Sequence, residues 1–211
     1  MMRPKRVSFT LITQAANNIA LSQTPAGAGN LTLAGALASG GVIPDLGMGY
    51  IVSITSAADI SNRTFTVTGF DQDNKAQTET ITGPNATTVV STKFWRQITT
   101  IAISGAAAGA LTVGTANTTL SAASPTYCLD IYEPNTAVYV DVTGTINYDT
   151  KKCGERPTAG ETPNWVAGGL TGQTADGNTA YTAPTGAVRL QVNSYTNGAT
   201  VTLQILQGRN H

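Results

Sequence analysis

Apolar and polar residues alternate with a period of two along most of the chain, and nowhere convincingly with the 3.6 period of an amphipathic helix. The pattern is clearest near the end. Val188, Leu190 and Val192, then Val201, Leu203 and Ile205, hold one parity, while Arg189, Gln191, Thr202 and Gln204 hold the other. Asn197 and Gly198 lie between the two runs, and Asn-Gly is the strongest short hairpin signal because both residues tolerate positive φ. A two-residue turn there sets Val192 opposite Leu203 and Leu190 opposite Ile205. Met48, Tyr50, Val52 and Ile54 alternate in the same way, as do Phe65 and Val67 between threonines. Asp71 to Asn74 forms a turn, and a three-residue loop with Asn74 left-handed places Phe65 opposite Ile81. Ile98 to Ser104 and Leu111 to Gly114 read as another pair, across a Gly/Ala linker. Val138 to Tyr148 reads as the longest strand.

Weaker signals fill the gaps. Val7 to Thr13 reads as a first strand or a docked arm. Ala34 to Gly49 is almost all small residues, and Gly35, Gly40, Gly41 and Pro44 block a stable helix, so it reads as an extended loop lying on something else. Asp149 to Thr185 is a long loop, with a short strand near Tyr181 to Ala183. Short strands and regular turns predict an all-β chain. The expected form is an antiparallel β-sandwich or barrel, or two stacked β domains, with an extended N-terminal arm. A Thr/Ser/Ala-rich bridge from Ala116 to Pro125 places a boundary near 120. It separates an arm plus β domain over residues 1–120 from a C-terminal β domain over residues 121–211.

Composition changes this picture in one respect. The 211 residues are 41% hydrophobic, as in ordinary globular chains, but only 11% are charged, against the usual quarter, and the net charge is zero. So little charge protects weakly against association, which fits a surface covered by partners. Balanced charge lacks the basic footprint of a nucleic-acid binder, so none is expected as a partner. Arg3, Lys5 and Arg6 form one small basic cluster, suited to touching an acidic neighbour. No apolar run approaches a membrane span, and polar residues break the apolar stretch after the basic start, so neither a membrane partner nor a secretory signal is expected.

Chemistry-bearing residues are sparse. The one histidine is His211, which leaves no internal histidine for a triad or a metal site. Cys128 and Cys153 permit one disulfide by arithmetic, and two reduced thiols suit a cytosolic assembly site better. Asp71, Asp73 and Glu79 resemble part of a calcium loop, but the turning glycine is missing and the spacing is short. Turn chemistry accounts for them. Asp130 with Glu133, or Glu155 with Glu161, are conceivable acid/base pairs that nothing marks out. No cofactor, metal site or catalytic residue is expected, and the chain reads as not an enzyme. Trp95, Trp165 and Tyr181 are candidate partner contacts, with a plain core role the alternative for Trp95.

Two stretches resemble a known group. Ser53 to Ile60 with Thr64 to Asn85, and Ala187 to Leu203, resemble segments of virion structural proteins of tailed bacteriophages. Together they cover about a third of the chain. Members of that group typically carry glycine where this chain has Asn74, and asparagine allows the same left-handed turn. The resemblance implies a β-rich capsid, tail or fibre protein and carries no catalytic residues across. The first functional expectation is a capsid decoration, or cement, protein made in the host cytoplasm and placed on the virion surface. It would bind the major capsid protein as a homotrimer and clamp neighbouring subunits through residues 1–13 and the loop Gly35 to Gly49. The second is a tail or fibre component that meets host sugars through Trp165 and Tyr181.

Overall fold

The computed structural model describes residues 4–115, 120–132, 135–157 and 163–208. Among them the chain forms strands and no helix. In order these are β1 Lys5–Thr10, β2 Ala20–Gln23, β3 Gly29–Asn30, β4 Gly49–Ser56, β5 Thr64–Phe70, β6 Ala76–Thr82 and β7 Thr88–Trp95. Then come β8 Gln97–Ile103, β9 Leu111–Thr115, β10 Ala122–Ala123, β11 Tyr127–Cys128, β12 Asn135–Thr143 and β13 Ile146–Cys153. The last are β14 Val166–Ala167, β15 Gly177–Tyr181, β16 Ala187–Tyr195 and β17 Thr200–Gly208. All pairings between them are antiparallel within each unit.

The strands divide into two compact units, Gln14–Asn117 and Met1–Thr13 with Thr118–His211. The division falls within three residues of 120 and differs mainly in giving residues 1–13 to the C-terminal unit. β1 pairs along its whole length with β17, from Lys5 opposite Ile205 to Thr10 opposite Thr200. The expected extended arm is therefore, over residues 5–10, an edge strand of the second unit. Val7 and Phe9 make this favourable, because their parity turns both toward the apolar side of the sheet beside Leu203 and Val201.

The unit Gln14–Asn117 is a sandwich. One sheet has the order β3-β8-β5-β6, and β7, β4, β9 and β2 form the other in that order. Phe65, Val67, Ile101 and Ile103 from the first meet Val52, Ile54, Leu111 and Val113 from the second in one buried cluster. The β5–β6 hairpin has the expected register, Phe65 opposite Ile81, and Asn74 takes the left-handed conformation at φ 62°. The pairing expected across residues 105–109 does not occur. β8 and β9 lie in different sheets.

The other unit is a second sandwich. β1-β17-β12-β15 forms one sheet. β14, β13 and β16 form the other, with β10 and β11 along the far edge of β16. Here too the expected hairpin gives way. β16 pairs with β13, and β17 pairs with β1 and β12, so the Asn197-Gly198 turn passes from one sheet to the other. The single long strand expected from Val138 to Tyr148 is likewise two strands, broken at Gly144 (φ 88°), one in each sheet. The two turns interlock: Thr196 N–H donates to Thr145 O, and Thr145 N–H to Thr196 Oγ1. The physical reason lies in the apolar parities. Val188, Leu190 and Val192, and Val201, Leu203 and Ile205, are all nearly inaccessible. Two strands with one strongly apolar face each bury both faces by stacking across a core.

Candidate interaction surface

The predicted contact residues do not gather on one surface. Arg3 lies outside the described residues. Lys5 and Arg6, being adjacent in a strand, turn to opposite faces. The Lys5 ammonium stands 4.5 Å from the centre of the Tyr127 ring, joining β1 of one sheet to β11 of the other. Arg6 is exposed on the outer face. At the opposite side of the same sandwich, Lys152 of β13 lies over the Tyr181 ring of β15 at 4.7 Å. Each open side of the sandwich is thus closed by a lysine over a tyrosine, a contact worth about 0.5–1 kcal/mol where solvent reaches it.

Tyr181 is therefore not an exposed platform. It is 4% accessible, its hydroxyl donates to Gly168 O, and burial raises its pKa. Trp95 is 1% accessible and belongs to the core of the Gln14–Asn117 unit, which settles its role as packing. Its indole Nε1–H has no hydrogen-bond partner. Trp165 is half-buried, and the Arg189 guanidinium lies over its ring at 4.4 Å.

The loop Gly35 to Gly49 is pinned to its own unit. Ile43 exchanges backbone hydrogen bonds with Ile98 and is 1% accessible, and Leu46 N–H donates to Arg96 O. Asp45 receives two bonds from Arg96, Nε to Oδ1 and Nη2 to Oδ2, and one from Gly47 N–H. The Arg96 hydrogen bond is the main reason its carboxyl stays below the usual range. "Something else" proves to be the edge of β8.

The acidic turn is built as turn chemistry requires. Asp71 Oδ1 accepts from the N–H of Asp73 and of Lys75, while Glu79 accepts from Thr92 N–H, Thr92 Oγ1 and Lys93 N–H. Those last bonds tie β6 to β7 and close one side of that sandwich. Among the described residues no three His, Cys, Asp or Glu side chains come together as a metal site would need. Asp130 caps the turn at Tyr132 N–H, and Glu155 is exposed. Their proposed partners Glu133 and Glu161 lie outside the described residues.

Cys128 and Cys153 are both free thiols. Each is opposite Ala187, on either side of β16. Two strand spacings put their Cα atoms about 10 Å apart, beyond the reach of a disulfide. Asp149, 7% accessible, is the one buried acid among the described residues. Burial raises its pKa, but Gly172 N–H, Lys151 and Asn193 together outweigh that and hold it below the ordinary range. The same network fixes the long loop after β13, whose Leu170 O accepts from Thr150 N–H and whose Gln173 exchanges bonds with Tyr148.

The outer face of the β3-β8-β5-β6 sheet is mostly hydroxyl. On the β8-β5-β6 face, Thr80, Thr66 and Ala102 form one row and Thr78, Thr68 and Thr100 the next, with Thr64 beside Thr82. None of these positions is charged. A shallow hollow of about 360 Å³ opens beside Thr68, Thr78 and Thr99. On the β1-β17-β12-β15 face, Ser8 bonds to Thr202 at 2.7 Å, and Gln204 Nε2 donates to Asp141 Oδ2 at 2.9 Å. Tyr139 stands out of that face at 39% accessible, and Tyr132, in the preceding turn, is 87% accessible. Neither was singled out by sequence. The available signal for Tyr139 is its place between Val138 and Val140, both fully buried.

No protein-family model matches the chain, and no curated protein matches it. Among solved structures, one match is described as the PBSX exported protein XepA. It is 10% identical over 95% of this chain and 86% of that one, with a TM-score of 0.25. A superposition that loose carries no argument about fold or role.

Proposed function

We propose that this chain is a bacteriophage capsid decoration protein, bound to the outer shell and bridging neighbouring major capsid subunits, with self-association as a homotrimer and no catalytic role. The observation that carries the reading is the uncharged threonine face of β5, β6 and β8. Interface cores are depleted in charge because desolvating an ion is costly, whereas a hydroxyl re-forms its hydrogen bond with the partner or a trapped water. The face needs no rearrangement to bind, since its backbone is already held in a sheet. Many copies on a shell add modest contacts through avidity. The resemblance to tailed-phage virion proteins supports the same reading. It falls on β4 to β6, two of which carry the threonine face, and on β16 with the start of β17.

The test is occupancy on purified particles. Hundreds of copies per particle fit the shell, and a dozen or fewer would move the chain to the tail. Thr66→Lys, which puts a charge in the middle of the face, should reduce occupancy at least tenfold while circular dichroism and melting stay as in the parent. Unchanged occupancy would remove the threonine face from the interface.

A further inference from the structure

The other unit has an outer face whose chemistry differs from that of the threonine face. Across the β1-β17-β12-β15 sheet, the register aligns Arg6, Gln204, Tyr139 and Asn178 in one row. Val138 and Val140 on either side of Tyr139 are fully buried, so the tyrosine ring projects from the outer surface. An amide stands on each neighbouring strand. Asn178 is exposed. Gln204, on the other neighbouring strand, gives its Nε2–H to Asp141 Oδ2. One row along, Leu206, Ala137 and Ala180 are in register. A hollow of about 240 Å³ opens over this second row, lined by Ala137, Ala180 and Leu206 with Asn135 and Thr182 at its rim.

We propose that this row and hollow form a carbohydrate-binding site for a neutral oligosaccharide. A pyranose ring has an apolar C–H face bordered by hydroxyls. It is held by an aromatic or aliphatic surface below and by planar amides or carboxylates at the edge, a few polar groups fixing orientation on an apolar floor. The row supplies that combination: a tyrosine edge, an alanine floor, and amides on both sides with an acid next in line. Gln204 to Asn178 spans two strand spacings, about 10 Å, close to the length of two linked pyranoses. A nucleic acid would need more cation than the single Arg6 provides. A hydrophobic protein partner would use a broader apolar patch than one tyrosine, one leucine and two alanines. The assignment does not depend on the capsid reading, because it uses another face of another unit.

The experiment uses the full chain on a printed array of bacterial surface and cell-wall oligosaccharides, followed by saturation-transfer NMR with N-acetylglucosamine oligomers and with maltotriose. Saturable binding is expected, weakened at least tenfold in Tyr139→Ala and severalfold in Asn178→Ala. Thr80→Ala, on the other unit, should bind as the parent does. All three positions are on the surface, so circular dichroism and melting should stay at parent values. If the parent binds none of these glycans, or Tyr139→Ala binds as well as the parent, the assignment is wrong. It is equally wrong if Tyr139→Ala changes only the oligomeric state in light scattering, since the face would then be an interface between copies.

Discussion

Single residues divide by how completely the fold has used them. Trp95 fills the core of its unit and leaves one N–H unpaired there, a cost of about 1–3 kcal/mol that its packing must outweigh. Trp95→Ala should lower unfolding free energy by about 3–5 kcal/mol in urea titration. A change below 1 kcal/mol would mean the indole is not packed as described. The thiols make a sharper case. Cys128 is exposed and Cys153 is 2% accessible, its thiol directed at Glu155 O. A thiol reagent should titrate one cysteine in the native protein and two after denaturation. Burial pushes the Cys153 thiol up, so folding favours its neutral form. The stability this contributes is complete below the ordinary thiol range and is lost as pH rises through and beyond it. Cys153→Ser, in equilibrium unfolding against pH, should flatten that alkaline loss. An identical alkaline slope would assign the loss to other groups.

At the scale of strands, sequence resolved some features and was blind to others, for a physical reason. Alternation says that one face of a strand is apolar. It does not say whether the next strand lies beside it in the same sheet or opposite it across the core, because either arrangement buries the same side chains. The β5–β6 hairpin was legible because Asp71 and Asn74 specify a tight turn and an offset of one residue changes which side chain meets Phe65. The turn at Asn197-Gly198 was legible too, and Gly198 does take positive φ (80°), yet the strands it joins part into separate sheets. What separates them is remote. β12 and β1 take both edges of β17, and β13 takes the edge of β16. The burial of a candidate contact was illegible for a related reason. Whether Tyr181 faces solvent depends on the second sheet of the sandwich, which no local pattern names. Cross-linking distinguishes the two arrangements. In a background with both native cysteines replaced by serine, Asp141→Cys with Thr202→Cys should oxidise to a disulfide, since the residues are opposite one another. Gln191→Cys with Gln204→Cys, opposite in the hairpin register, should stay reduced. The reverse result would restore the hairpin.

For the whole molecule, the consequence is that the chain's start belongs to its end. A detachable arm and an edge strand predict different things when residues 1–13 are deleted. Loss of an arm would leave both units intact. Loss of β1 bares the edge of β17 along six paired residues, removes the cover that Val7 and Phe9 give, and opens the side closed by Lys5 over Tyr127. Hydrogen exchange should therefore speed up by tenfold or more at the β17 amides from Val201 to Ile205, while β5 and β8, in the other unit, keep parent protection. Full protection of β17 in the deletion would show that β1 contributes nothing to that sheet. Any fall in particle binding by the same deletion would then mix lost structure with lost contact. Arg6→Glu separates the two, because Arg6 points outward and its reversal leaves the strand pairing in place. If the positive charge at position 6 touches an acidic shell surface, Arg6→Glu should reduce particle occupancy at least tenfold with unchanged β17 protection. If occupancy is unchanged in Arg6→Glu but lost in the deletion, the N-terminal segment acts on particle binding only by completing its own sandwich.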